Sequence, residues 1–259
     1  MHDEPDKSAV PALPDRGLLR DRLARPMRDL RISVMDRCNF RCPYCMPSGT
    51  FHERYRFLKS SERLSFDEIS RTARVAVALG VRKIRLTGGE PLLRAGLAEL
   101  VGEISTIEGV DDIALTTNGV LLAVHAAELT GNGLQRVTAS LDSLDQAVFE
   151  RMNGGFGGLH QVLEGIEAAL EAGLGPVKVN AVVKRGVNDH TVLPLLERFR
   201  GTPVIVRLIE FMDVGNRNSW RPDEVVPSAE LLHSIRERWP VSALPGSIRG
   251  EVAERYAYD

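Results

Sequence analysis

The 259-residue sequence holds three cysteines, and all of them fall in one short run, Cys38-Asn39-Phe40-Arg41-Cys42-Pro43-Tyr44-Cys45, with the spacing Cys-x3-Cys-x2-Cys. Soft thiolates gathered on one loop suit a metal or an iron-sulfur cluster better than three unrelated packing roles. A closed structural zinc or an ordinary cluster takes four protein ligands, so three thiols leave one coordination position open to a small molecule. Two other readings compete with this one. His52 could complete a three-cysteine, one-histidine zinc site. A disulfide with a spare thiol fits less well, because so short a loop strains disulfide geometry and nothing marks the chain as secreted.

Other groups with chemistry are spread along the chain. Thr87-Gly88-Gly89-Glu90-Pro91 reads as a turn whose glycines expose backbone polar groups to a ligand, with Glu90 accepting from a cation, or as a plain strand-to-helix turn with a capping acid. Ser140 lies within the run Val137–Ser143 that ends the fourth strand, and Met212 closes the run Arg207–Met212 that ends the sixth; taken alone they are packing or capping residues. Four cations, Arg31, Arg85, Lys178 and Arg207, sit on four separate strand-like runs. Facing one lumen, they repel one another unless an anion such as a triphosphate or nearby acids neutralise them. Pairing with Glu90, Asp142 or Glu210 is expected for at least one, with Arg207 the first candidate. No Gly-x4-Gly-Lys-Ser/Thr phosphate loop occurs. Gly154-Gly155-Phe156-Gly157-Gly158 follows a helix-like stretch, not a strand, and reads as a flexible connection.

These residues need elements to position them. Leu30–Met35 is a β-type run leading straight into the cysteine loop. Helical spacing then covers Phe66–Leu79, Leu92 to about Ile107, Leu121–Thr130, Leu159–Ala172 and His190–Arg200, alternating with strands over Val81–Thr87, Ile113–Thr117, Gln135–Leu141, Val177–Lys184 and Val204–Phe211. Six strands alternating with helices predict an α/β parallel sheet with right-handed crossovers. Polar side chains recur with period two, among them Arg31 and Ser33; Lys83, Arg85 and Thr87; Thr116 and Asn118; Thr138, Ser140 and Asp142; Lys178 and Asn180. Each set therefore shares one sheet face. Helices on both faces would bury these groups away from water, whereas a barrel wide enough for a ligand would not.

Residues 1–25 read as a mobile leader, 26–225 as the barrel domain and 226–259 as the start of a C-terminal region, with Tyr256-Ala257-Tyr258-Asp259 an interruption without a stop signal. A net charge of −2 argues against a generic nucleic-acid binder. No apolar run approaches the roughly 20 residues that span a bilayer. Reduced thiols without an export signal favour the cytoplasm.

The cysteine spacing, with an aromatic residue just before the last thiol, resembles the signature of the radical S-adenosylmethionine (SAM) enzymes, and the wider string Arg31–Pro47 is similar to the GTP 3′,8-cyclase family of molybdenum cofactor biosynthesis. The resemblance implies a six-stranded partial (β/α) barrel. It also implies that Cys38, Cys42 and Cys45 hold a 4Fe-4S cluster whose fourth iron binds SAM. Gly-Gly-Glu would receive the methionine ammonium, and SAM contacts fall on Tyr44, Gly89, Ser140 and Met212. Contacts with GTP fall on Arg31, Arg85, Thr116 and Lys178. A one-electron reductant and a homodimer are implied as well. Family members carry three further cysteines for a second 4Fe-4S cluster and a Gly-Gly tail, which this sequence does not contain. It is therefore expected to be a fragment or a shortened homologue that binds SAM with weak or absent cyclase turnover. The alternatives are a radical SAM enzyme acting on another substrate, such as a peptide, or a noncatalytic zinc-binding module.

Overall fold

The computed structural model describes residues 19–214, 218–246 and 253–259. Most of the expected leader lies outside these residues. Its last part is a tight loop in which the Asp21 carboxylate accepts from the Leu23 and Arg25 N–H groups, both at 2.9 Å.

Six strands form one parallel sheet in sequence order: β1 (Asp29–Ser33), β2 (Lys83–Thr87), β3 (Asp112–Thr117), β4 (Arg136–Ser140), β5 (Lys178–Val183) and β6 (Ile205–Glu210). The crossovers carry α1 (Phe66–Ala78), α2 (Leu97–Ser105), α3 (Leu122–Gly131), α4 (Gln146–Asn153), α5 (Leu159–Glu171) and α6 (Val192–Phe199), and α7 (Ser228–Arg238) follows the sheet. Strand alternation does what the period-two pattern predicts. Ile84, Leu86, Leu115, Val137, Ala139, Val179 and Ala181 are at most 1% exposed. They share one core with Ile104, Leu122, Val162, Ile166 and Leu195 from the helices. Each large aliphatic side chain so buried contributes about 1.5–3 kcal/mol. The opposite sheet face carries the polar set.

The sheet curls. Arg85 on β2 lies close enough to Arg207 on β6 for the second charge to lower the pKa of the first. In a flat sheet four strand spacings would hold their backbones about 19 Å apart. Among the described residues β1 and β6 are not paired with each other, so the barrel is partial.

One local expectation changes. The helix expected from Leu92 begins at Leu97, because Glu90 accepts from the Leu92 N–H and caps a separate 3-10 turn over Pro91–Leu93. The helix-like stretch expected before Gly154 is α4, capped by the Asp145 carboxylate on the Val148 N–H. The last residues form a strand: β8 (Arg255–Tyr258) pairs antiparallel with β7 (Val241–Leu244), and the Tyr258 ring meets Trp239 edge-on at 5.8 Å. No described helix is long and apolar enough to cross a membrane.

Candidate cluster loop and ligand-facing sheet

β1 delivers the chain into the cysteine loop, and backbone contacts hold that loop from two sides. Beneath it, the Gly89 N–H donates to the Met35 carbonyl at 2.6 Å and the Glu90 N–H to the Arg37 carbonyl at 2.7 Å. A Cβ on Gly88 would run into the Met35 carbonyl oxygen, and one on Gly89 into that of Arg37, so only glycine permits this approach. From the other side the Arg41 N–H donates to Asn153 at the end of α4 (2.9 Å). Gly154, at φ 88°, stands where a Cβ would strike the Arg41 carbonyl. Asn153 then fixes Phe156 through both its amide groups, and the Phe156 ring lies 6.2 Å from Phe40. The glycine-rich segment expected as a flexible connection is, at Gly154 and Phe156, a buttress for the loop.

Glu90 takes the capping role that was one of its two readings. It is fully buried, its Oε1 accepting from the Leu92 N–H (3.0 Å) and the Thr117 hydroxyl (2.7 Å) and its Oε2 from the Asn118 N–H (2.7 Å). Burial raises its pKa and these bonds oppose the rise. Both oxygens serve the fold, clamping the end of β3 to the turn beneath the loop, and neither is presented to a ligand cation.

The three thiols differ in exposure: Cys45 is exposed, Cys38 and Cys42 half-buried. Cys38 Sγ accepts from the Phe40 N–H at 3.4 Å and from Asn118 Nδ2 at 3.8 Å. Burial pushes all three thiols up, Cys42 furthest, with the neighbouring Asp142 charge adding to the rise at Cys42. A metal cation replacing the protons removes that penalty, and N–H groups directed at sulfur stabilise a cluster's charge. The donor set therefore fits an iron-sulfur cluster. Among the described residues no three His, Cys, Asp or Glu side chains are close enough to share a single ion. Thiolates that each bind a different iron of a cluster stand farther apart than ligands of one zinc. His52 is exposed, with its Nδ1 accepting from the Arg54 N–H at 3.1 Å, and among the described residues it is not gathered with the thiols.

The residues expected at SAM surround this loop. The Tyr44 hydroxyl donates to Asp142 Oδ2 at 2.8 Å, just beyond Ser140 at the end of β4. Asp142 is 7% exposed and also accepts from the Val182 N–H, and burial lifts its carboxyl to about 6. Met212, past the end of β6, is 55% exposed. Its carbonyl accepts from Asn218 Nδ2 at 2.9 Å, and the same amide reaches the Tyr44 carbonyl at 3.4 Å. Gly89 lies under the loop and gives its N–H to Met35, not outward.

The cations expected at a triphosphate do face one space. Arg31 and Arg85 are partners in the β1–β2 register, Thr138 and Lys178 in β4–β5, and Asn180 and Arg207 in β5–β6. Arg85 donates to the Thr116 hydroxyl at 3.0 Å and the Thr138 hydroxyl at 3.4 Å. Burial lowers the pKa values of Arg85 and Lys178, and mutual repulsion lowers them further. The expected pairing of Arg207 is not made. Glu90 and Asp142 are engaged as described, and Glu210 accepts from the Ser228 N–H and hydroxyl. Among the described residues Arg31, Arg85, Lys178 and Arg207 make no ion pair. Beside them Asn180 Oδ1 is buried with no hydrogen-bond partner. Sequence reasoning missed Arg136, a further cation in this group, which is neutralised by an ion pair with Asp112. Its parity with Thr138 and Ser140 was the available signal. It also gave Asn118 no role at Cys38.

Residues 32–199 match the sequence profile of the Radical SAM superfamily. The fold is similar to that of the S-adenosylmethionine-bound protein anSMEcpe (TM-score 0.63, 18% identity, 83% of this chain and 58% of that one). It is likewise similar to methylornithine synthase (TM-score 0.60, 15% identity, 81% of this chain and 62% of that one). The chain belongs to the radical SAM superfamily. It is 53% identical over 240 residues to the GTP 3′,8-cyclase of Xanthomonas axonopodis pv. citri (strain 306), covering 93% of this chain and 72% of the relative. To a GTP 3′,8-cyclase of Staphylococcus epidermidis it is 45% identical over 241 residues, covering 93% and 71%. Within the superfamily, then, it belongs to the GTP 3′,8-cyclase family.

Proposed function

We propose that this chain binds a 4Fe-4S cluster through Cys38, Cys42 and Cys45, binds SAM at the open iron, and acts on GTP in the first step of molybdenum cofactor biosynthesis. The observation that carries the substrate reading is the set of cations without ion pairs on one sheet face. Arg31, Arg85, Lys178 and Arg207 repel one another until a polyanion enters, and a nucleoside triphosphate supplies the charge. When bound, the cluster and SAM supply the single electron and the carbon radical that takes hydrogen from C3′ of the ribose. The protein's own groups do the rest. Arg85, held by Thr116 and Thr138, presents a fixed fork to phosphate oxygens. Asn180 Oδ1 offers an acceptor to a ligand hydroxyl or amine. Tyr44 on the loop and Gly89, Ser140 and Met212 around it would hold SAM against the open iron and beside the nucleotide.

All three cysteines belong to one loop, so a polypeptide of these 259 residues is expected to hold one cluster and give a small yield of cyclised nucleotide. The decisive test reads hydrogen removal. With GTP deuterated at C3′, anaerobically reconstituted protein, SAM and dithionite, deuterium should appear in 5′-deoxyadenosine. SAM cleavage without label transfer would exclude GTP as the substrate.

A further inference from the structure

The segment that carries and follows the thiols has a charge the chain as a whole does not. Residues 36–63 contain six cations against three acids, while the chain's net charge is −2. Two of the acids are turned onto the backbone, Asp36 on the Leu58 N–H (2.6 Å) and Glu62 on the Lys59 N–H (2.7 Å). Two of the cations are structural. Arg41 donates to the carbonyls of Cys38, Phe40 and Phe51, and Arg63 to Met35 Sδ and the Ser60 hydroxyl. Arg37, Arg54, Arg56 and Lys59 remain, exposed and without an ion pair among the described residues.

These cations surround an aromatic knot. The Tyr55 ring lies 4.7 Å from Phe51 and 4.8 Å from Phe57, and the Arg37 and Arg41 guanidiniums lie over Phe57 at 5.8 and 5.6 Å. Tyr55 is 38% and Leu58 45% exposed, giving the patch an apolar centre inside a basic rim. Arg41 bonds to Phe51 on one side and to Cys38 on the other, so the patch is fastened to the cysteine loop.

We propose that this surface docks an acidic one-electron carrier protein, which reduces the cluster held by the adjacent thiolates. The inference rests on the functional reading above, which requires one electron per turnover. In the step itself one electron leaves the carrier and one arrives at the cluster, and no bond is made or broken. Charge complementarity selects the partner: exposed like charges around a small apolar centre steer an oppositely charged protein into a brief encounter. Redox encounters of this kind need only a small contact area.

The test uses the reconstituted enzyme and a purified acidic flavodoxin as probe. Arg54→Glu/Arg56→Glu/Lys59→Glu should weaken flavodoxin binding, read by titration calorimetry at low salt, at least tenfold, and Arg54→Gln/Arg56→Gln should give a smaller loss in the same direction. Cluster reduction by flavodoxin should slow in parallel, while SAM cleavage driven by dithionite stays at the wild-type rate. Unchanged flavodoxin binding, an equal fall in the dithionite rate, or a wild type found to be a dimer that these substitutions dissociate would each overturn the proposal. Failure of the functional reading shows separately, as a wild-type enzyme that fails to cleave SAM with dithionite.

Discussion

The Tyr44 hydroxyl donates to Asp142 Oδ2 at 2.8 Å, joining the cysteine loop to the end of β4 across 98 residues of sequence. That bond and the Val182 N–H lower the pKa of the Asp142 carboxyl, yet burial outweighs them and lifts it from 3.8 to about 6. The pH dependence follows. A group that binds its proton more tightly when folded contributes stability fully below its unfolded pKa and loses it as pH rises through the folded value. In the metal-free chain Asp142 should therefore favour folding below about pH 3.8 and lose that contribution as pH rises through about 6. Two pKa units correspond to at most about 3 kcal/mol. Denaturant unfolding of wild type and Asp142→Asn across this range should show the difference, with the variant's profile the flatter.

Gly89→Ala should injure the loop without touching a thiol. The added Cβ meets the Arg37 backbone, which cannot give way as a flexible side chain could. Overpacking of this kind costs about 1–3 kcal/mol. Both the melting temperature and the iron bound per chain should fall.

Glu90 separates a structural role from a ligand role. Glu90→Ala strands two buried N–H groups and a hydroxyl, at about 1–3 kcal/mol for each buried group left unsatisfied. The metal-free protein should already be destabilised, as thermal unfolding would show. A carboxylate needed only for SAM would leave the metal-free melt unchanged.

Lys178→Ala should raise the KM for GTP about tenfold, a loss near 1.4 kcal/mol. SAM cleavage in the absence of GTP should hold, because Lys178 faces the cation group and not the cysteine loop. Adding salt should narrow the gap between wild type and variant, since a point charge on phosphate is screened.

Much of the fold was legible because strand periodicity is a local property. Ile84 and Leu86 alternate with Lys83, Arg85 and Thr87, and that alone told which face was dry. The cysteine spacing was equally local. Of the three donors to Glu90 only the capped Leu92 was legible, because Thr117 and Asn118 lie at another strand's end. Gly154 was misread for the same reason: what makes it necessary is Arg41, more than a hundred residues earlier. Arg207 was expected to find an acid because acids abound in the sequence, but Glu90, Asp142 and Glu210 all turned to hydrogen-bond donors of the fold.

The loop that bears the thiols is positioned largely by main-chain atoms, against Gly88, Gly89 and Asn153, whereas the space across the sheet is furnished by side chains from all six strands. The two kinds of support are largely separate. Replacing a cation or a hydroxyl on one strand alters what is held there and leaves the radical-generating apparatus in place, so a scaffold of this design can exchange its substrate one strand at a time without reinventing its chemistry.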